Sequence, residues 1–347
     1  MKILYAIQGT GNGHLSRARD IIPILQKKGE VDLLVSGIQA DVSLGYPVKY
    51  TYKGLSFIFG KSGGVNLWQT IKKCNFRRLR KEIYSVPIEN YDLIINDFEP
   101  ISAWACFLKG KKCISLSHQS AVIAKGAPKP AKKDFMGHLI LKYYAPVTAS
   151  YGFHFHSFGE NIFTPVIRDQ IRNMRIKNEP YYTVYLPSYS DKHLCKILAK
   201  VPNVKWEVFS KHNKNPFHFN NVHIRPVNNE DFIKSLVSSK GVLCGAGFET
   251  PAEALFLGKK LMVIPMKGQY EQQCNASALQ AMGVRVASTL KKKSIAKIKN
   301  WIDSEELIKV NYPNQTNAIL EKLIEAHAPK NSVAFHEENL HFEFKTA

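Results

Sequence analysis

The sequence predicts an α/β protein made of two Rossmann-like domains in series, each a doubly wound parallel sheet covered by helices. Three observations carry this. Short apolar, β-branched runs alternate with helical stretches through the first half. The same alternation starts again after a charged, proline-bearing interval. A chain of 347 residues is also long enough for two domains that each bury a core.

In the first half KILYAIQ reads as a buried strand. A helix from about Leu15 to Lys28 follows, then the strand VDLLVS, and later YDLIIND, the helical ISAWACFL and the strand KKCISLS. Such runs suit strands covered on both faces. The second half repeats the pattern with YTVYLPS, a helix near Asp191 to Lys200, VKWEVFS, NVHIRPV, a helix near Glu230 to Ser238, KGVLCG, a helix to Leu257, and KKLMVIP. Between the halves, from about His156 to Tyr182, charges and prolines are scattered without a strand period. The expected division is therefore residues 1–155, a linker over 156–182, a second domain over 183–328 and a polar tail over 329–347.

With 45% hydrophobic and 22% charged residues the composition is globular. No segment approaches the roughly 18 apolar residues of a membrane span. The apolar start leads into glycines and a histidine instead of a cleavage site, so a cytoplasmic location is expected. Six cysteines (Cys74, Cys106, Cys113, Cys195, Cys244 and Cys274) lie far apart with no zinc spacing, and are expected to be free thiols. Neither a metal nor a cofactor is expected.

Charge is the unusual property: 48 Lys and Arg against 28 Asp and Glu give +20, which implies an anionic partner. Basic residues concentrate in IKKCNFRRLRKEIY (71–84) and AKGAPKPAKKDF (124–135), with Trp68, Phe76, Phe135, Tyr143 and Tyr144 nearby. Basic side chains mixed with aromatics suit an anionic membrane face. A solvated basic face is the competing reading. Nucleic acid is not expected, because the aromatics form no recognisable base-stacking or groove-reading motif.

Gly9, Thr10, Gly11, Asn12, Gly13 and His14 join the first strand to the first helix, where backbone N–H groups and the helix dipole favour negative charge. A dinucleotide fingerprint would need glycine at position 14, and the second strand ends without the ribose-holding acid. His14 is instead a candidate general base, the alternative being that it caps the helix. Asp97 and Glu99, at the end of another strand, would open toward the same crevice, one of them orienting His14. The alternative is that both are turn acids before Pro100. His118 and Gln119, after the strand KKCISLS, are pocket-lining candidates.

The segment CGAGFETPAEALFLGKKLMVIPMKGQYEQQCNASALQAMGV (244–284) is the richest. Gly245, Ala246 and Gly247 open backbone at a helix start, suited to a diphosphate, with Thr250 as a hydroxyl donor or cap. Phe248 and Glu249 complete this turn, and the Glu253 carboxylate is suited to accept both ribose hydroxyls. Gln269, Glu271, Gln272, Gln273 and Asn275 supply the mixture of donors and acceptors that sugar hydroxyls require.

This segment resembles the donor-binding region of GT-B glycosyltransferases, in the group that includes the undecaprenyl-linked GlcNAc transferases of peptidoglycan synthesis and the UDP-glucuronosyl-type transferases. GTGNGH is similar to that group's N-terminal G-x-G-G-H element. The resemblance is sharp over residues 7–20 and 244–284 and departs at Asn12, inserted among the glycines, and at Pro251. It implies two domains facing a central cleft, an acceptor-binding first domain and a donor-binding second domain. It also implies Glu253 on ribose, Gln272 and Gln273 on the donor sugar, His14 at the acceptor hydroxyl, Ser188 near the diphosphate and Val227 beside a uracil.

The function expected on these grounds is transfer of a hexose or N-acetylhexosamine from a UDP-sugar to a hydroxyl acceptor, lipid-linked or a cell-envelope glycan precursor. The displacement would be metal-independent and, by the resemblance, inverting, at the inner membrane face. Two alternatives share the features: a sugar-nucleotide epimerase on the same fold, and a basic nucleic-acid-binding protein.

Overall fold

The computed structural model describes residues 1–37, 44–55 and 75–329. Trp68, Cys74, residues 71–74 of the first basic stretch and residues 330–347 of the expected tail lie outside the described residues.

The first sheet comprises β1 (Lys2–Gln8), β2 (Glu30–Ser36), β3 (Tyr50–Tyr52), β4 (Leu93–Asp97), β5 (Ile114–Ser117), β6 (Ala149–Phe153) and β7 (Ile162–Phe163). Their order is β3-β2-β1-β4-β5-β6-β7, all parallel. The second comprises β8 (Glu179–Tyr185), β9 (Lys205–Ser210), β10 (Phe217–Phe219), β11 (Val222–Pro226), β12 (Ser239–Gly245), β13 (Lys260–Ile264) and β14 (Arg285–Val286). Their order is β10-β11-β9-β8-β12-β13-β14, parallel except for the β10–β11 pair.

Winding reverses beside β1 in one sheet and beside β8 in the other. Doubly wound sheets open a ligand crevice at the carboxyl ends of the strands at such a point. Strands near the centre of each sheet are strongly apolar. Ile3 to Ile7 of β1 are fully buried, as are Val242, Leu243 and Cys244 of β12. A large aliphatic side chain buried this way contributes about 1.5–3 kcal/mol, which is why continuous apolar runs, not alternating ones, mark these strands.

Two features differ from the expected division. Residues 162 and 163 of the expected linker form β7, which pairs with Gly152 and Phe153 and so extends the first sheet past residue 155. A two-residue strand is too short to carry a periodic signal. The helix Thr316–His327, expected within the second domain, returns to the first. There Lys28 donates to Glu321 at 2.7 Å, Lys322 donates to the Glu160 carbonyl at 3.1 Å, and His327 lies 3.2 Å from the Tyr151 hydroxyl. The chain therefore passes between the domains twice.

Cys106, Cys113, Cys195, Cys244 and Cys274 are buried free thiols. No helix among the described residues is long and apolar enough to cross a membrane.

Candidate active site

The carboxyl end of β1 runs through the glycine loop into the helix Asn12–Gln26, with Gly11 in its N-cap position at φ 97°, where a side chain would be strained. His14 is the third residue of this helix. Its Nδ1 lies 2.8 Å from Oδ1 of Asp97, the last residue of β4. A carboxylate only accepts, so Nδ1 is the donor and Nε2 carries the lone pair. Gln119 Nε2 is 3.4 Å from that Nε2.

Arg17, one helical turn after His14, completes the group. One of its terminal nitrogens donates to both Asp97 oxygens at 2.8 Å and lies 3.2 Å from His14 Nδ1; the other donates to Glu249 of the second domain. Asp97 is 0% and Arg17 2% exposed. Burial alone would raise the Asp97 carboxyl, but Arg17 and His14 hold it below its ordinary value. Burial disfavours the His14 imidazolium, yet the Asp97 charge and hydrogen bond, aided by Glu249, outweigh burial and Arg17, so the His14 pKa is raised. The result is an oriented, strengthened base.

Two cavities border this group, and a smaller one adjoins the first of them at Tyr185, Gly247 and Thr250. The first, of about 410 Å³, is walled by Asn12, Gly13 and Ser16 from one domain and by Tyr185, Val227, Asn228, Gly247, Thr250 and Glu253 from the other. A smaller one of about 90 Å³ lies along Ser188, Gly245, Gly247, Thr250 and Gln272. The third, of about 280 Å³, contains Gln8, Thr10, His14, Phe98, Gln119, Gln269 and Glu271, with an apolar wall from Met136, Ile140 and Leu141. Gly13 thus borders the first cavity and its neighbour His14 the third.

The structure brings most of the anticipated residues into this cleft. Gly245, Gly247, Phe248, Glu249, Thr250, Glu253, Ser188, Val227 and Gln272 line the first two cavities. Gln272 Oε1 accepts from the Met266 backbone at 2.9 Å. Gln269, anticipated on the donor side, lines the cavity that contains His14. Gln273 lines none of the three. The Ala246 carbonyl accepts from Asn275 Nδ2 at 3.1 Å. Glu253 is held by Arg168 through two hydrogen bonds of 2.6 and 2.9 Å. Gly9 pairs its N–H with the Ser36 carbonyl at 2.7 Å and so fixes the start of the loop.

Glu99 takes the place of a turn acid before Pro100, the alternative given above, and His118, expected to line the pocket, is instead a buried contact between the domains. Glu99 caps the helix Pro100–Leu108, accepting from Ile101 N and Ser102 N at 2.7 Å, from Ser102 Oγ at 2.6 Å, and from Ser36 Oγ. With its oxygens so engaged and fully buried, it is a cap and not a partner of His14. His118 stacks on Phe248 at 3.8 Å between ring centroids, and its nitrogens meet the Phe153 carbonyl and Asn275 Oδ1, both at 2.8 Å. Burial pushes its pKa down to about 4. It joins the domains as a neutral ring. Gln119 donates to Glu271 at 3.1 Å, a further link across the cleft.

Arg17, Arg168 and Phe98 were not anticipated. Arg17 carries a sequence signal, since i and i+3 share a helix face. Arg168 carries none, because its partner lies 85 residues away. Phe98 holds φ 56°, uncommon for a residue with a side chain, and packs against Tyr144 with ring centroids 4.9 Å apart. Among the described residues no three His, Cys, Asp or Glu side chains gather as a metal site.

Comparison with known proteins agrees with this architecture. The family model described as Glycosyl transferase family 1 matches residues 1–304. The crystal structure of Acinetobacter baumannii MurG superposes with a TM-score of 0.51 at 16% identity, covering 96% of this chain and 97% of that one. CalG4, the calicheamicin glycosyltransferase, gives 0.57 at 12% identity with 99% of each chain covered. Arabidopsis thaliana UGT89C1 complexed with UDP gives 0.54 at 14% identity and 94% of each. No curated protein sequence matches. The likenesses establish the GT-B fold, and with the family model spanning both sheets, this chain belongs to glycosyl transferase family 1.

Proposed function

We propose that the protein moves a hexose or N-acetylhexosamine from a UDP-sugar to a hydroxyl of a lipid-linked or cell-envelope glycan acceptor, by direct displacement with inversion and without a metal. The observation that carries the reading is the His14–Asp97 pair, with His14 lining one cavity and its neighbour Gly13 the other, and with the lone pair on His14 Nε2. The acceptor O–H proton passes to His14 Nε2 as its oxygen forms the new bond to the anomeric carbon. The bond from that carbon to the diphosphate oxygen breaks, and UDP departs with the electron pair.

The first cavity has the size and chemistry for the nucleoside: Glu253 for ribose hydroxyls and Val227 at the base. The backbone N–H groups at the start of the helix Glu249–Phe256, with the Thr250 hydroxyl, suit the developing diphosphate charge. Glu249 sits at this same start, with its carboxylate held by Arg17 of the first domain. The MurG, CalG4 and UGT89C1 likenesses support a sugar donor of the nucleotide class, UGT89C1 having been crystallised with UDP.

A lipid-linked acceptor is supported by one helix with two faces. In Phe135–Tyr143, Met136, Ile140 and Leu141 wall the cavity that contains His14. Phe135 is 73% exposed and Tyr143 is exposed as well, beside exposed Lys132, Lys133 and Lys142. Such a face suits an anionic bilayer at the inner side of a cell membrane.

The test is thermal-shift binding of UDP, UDP-glucose, UDP-galactose, UDP-GlcNAc, GDP-mannose and NAD, followed by product analysis with the best donor and lipid extracts. Stabilisation by one nucleotide-diphosphate class and a glycosylated lipid product are expected. Stabilisation by NAD alone, or an epimerised sugar nucleotide formed without acceptor, would overturn the reading.

A further inference from the structure

We propose that Arg17 and Glu249 form a latch across the cleft, through which docking of the donor domain fixes Asp97 and so assembles the His14 base. This rests on His14 being the base proposed above. Arg17 acts on the reaction through Asp97 and is therefore a positioning residue.

The geometry is specific. Asp97 Oδ1 is shared between His14 Nδ1 and an Arg17 N–H, so the carboxylate that orients the imidazole is itself oriented by the guanidinium. The remaining terminal nitrogen of Arg17 is engaged by Glu249, a residue that begins a helix of the other domain and also lines the first cavity. A planar fork with both ends occupied has one orientation, and it holds Asp97 by both oxygens.

An independent observation concerns Gly13. A Cβ built there would overlap the Glu249 carboxylate, so the loop leaves room for Glu249 to reach Arg17. Gly13 does not need its missing side chain for backbone reasons, since it is not among the glycines with positive φ. The space is for the partner domain.

The latch also sets the charge around the base. Asp97 from β4, Arg17 from the same helix as His14, Glu249 from the donor domain, and Glu271, held by Gln119, all face His14; Tyr5 on β1 lies near Asp97 and Arg17, and the neutral His118 ring is close by. Within the first domain Asp97 and Arg17 balance. Docking adds Glu249 and, from the helix Tyr270–Ala281, Glu271, which leaves the group with a net negative charge and favours a proton on His14. Nε2 is then the stronger base only when the donor domain is in place, which protects a bound donor from reaction in an open cleft.

The experiment follows the His14 titration by long-range proton–nitrogen NMR of histidine-labelled protein, with His14 identified by loss of its signal in His14→Gln. Glu249→Gln should lower the midpoint, and Arg17→Gln should raise it. Gly13→Ala, which leaves every charge in place but excludes Glu249, should move it in the same direction as Glu249→Gln. Small-angle scattering should show a more open molecule for Glu249→Gln and Gly13→Ala. If all variants shift the midpoint in one direction, or none shifts it, the latch is only structural and the proposal fails. If Arg17→Gln does not fold, the Glu249→Gln and Gly13→Ala pair decides the matter. None of these readouts needs sugar transfer, so a protein that shows the opposed shifts yet transfers no sugar would retain the latch and lose the proposed activity.

Discussion

Replacing Glu253 confounds two effects that the structure allows to be separated. Its carboxylate is 2% exposed and receives two hydrogen bonds from Arg168, whose third contact is Asn229 Oδ1 at 2.9 Å. Removing one partner of such a buried pair costs about 3–5 kcal/mol, or on the order of 10 °C in Tm for a chain of this size. Loss of a charge-assisted hydrogen bond to ribose costs about 1.5–3 kcal/mol, which is roughly 10- to 100-fold in Kd. Glu253→Leu alone should therefore lower both Tm and UDP affinity. In the double variant Arg168→Met/Glu253→Leu no charge is left buried, so Tm should recover most of its loss while UDP affinity does not. Differential scanning fluorimetry and titration calorimetry with UDP measure the two quantities separately. Wild-type affinity in the double variant would refute the ribose assignment; wild-type Tm in Glu253→Leu would refute the energetic account of the pair.

Because the His14 pKa is raised and the base must be unprotonated, kcat should climb with pH through an inflection on the high side of the ordinary histidine value. His14→Ala should lose about 10²- to 10⁴-fold in kcat, and Asp97→Asn should move the inflection to lower pH, both read from initial rates across pH 5–9. His118 behaves in the opposite way: its folded pKa of about 4 lies below the unfolded value near 6.5, so the unfolded chain binds more protons between the two. Stability should accordingly fall by about 3 kcal/mol as pH drops through that window, and His118→Gln should flatten the slope in urea melts. Charge reversal at Lys132 and Lys133 should weaken binding to vesicles containing anionic lipid by about 30-fold or more, at roughly 1 kcal/mol for each lysine contact removed; unchanged co-sedimentation would remove that face from the membrane argument.

The apolar strands at the centre of both sheets were legible because burial on two faces demands uninterrupted aliphatic runs, as in KILYAIQ and KGVLCG. Short edge strands such as β3, β7 and β14 were not, since two or three residues record no pattern. At the site, His14 and Asp97 could be matched because the loop leading to His14 and the residue Asp97 both lie at the carboxyl edge of a parallel sheet. Glu99 shows where adjacency misleads: Pro100 after it marks a first helical position, which makes Glu99 the N-cap. The ion pairs of Arg17 with Glu249 and Arg168 with Glu253 depend on tertiary packing across 232 and 85 residues, and nothing local announces them.

The return of the helix Thr316–His327 to the first domain gives the hinge two straps in place of one. A single connection would allow the domains to swivel freely. Two connections resist sliding and twist, and restrict relative motion to a swing about the line between them. The same arrangement means that the domains are not consecutive pieces of the chain. A fragment ending before residue 160 would leave bare the surface around Lys28 and Tyr151 that the returning helix covers, and the halves of this molecule are separable only as a rearranged sequence in which that helix is rejoined to the first domain.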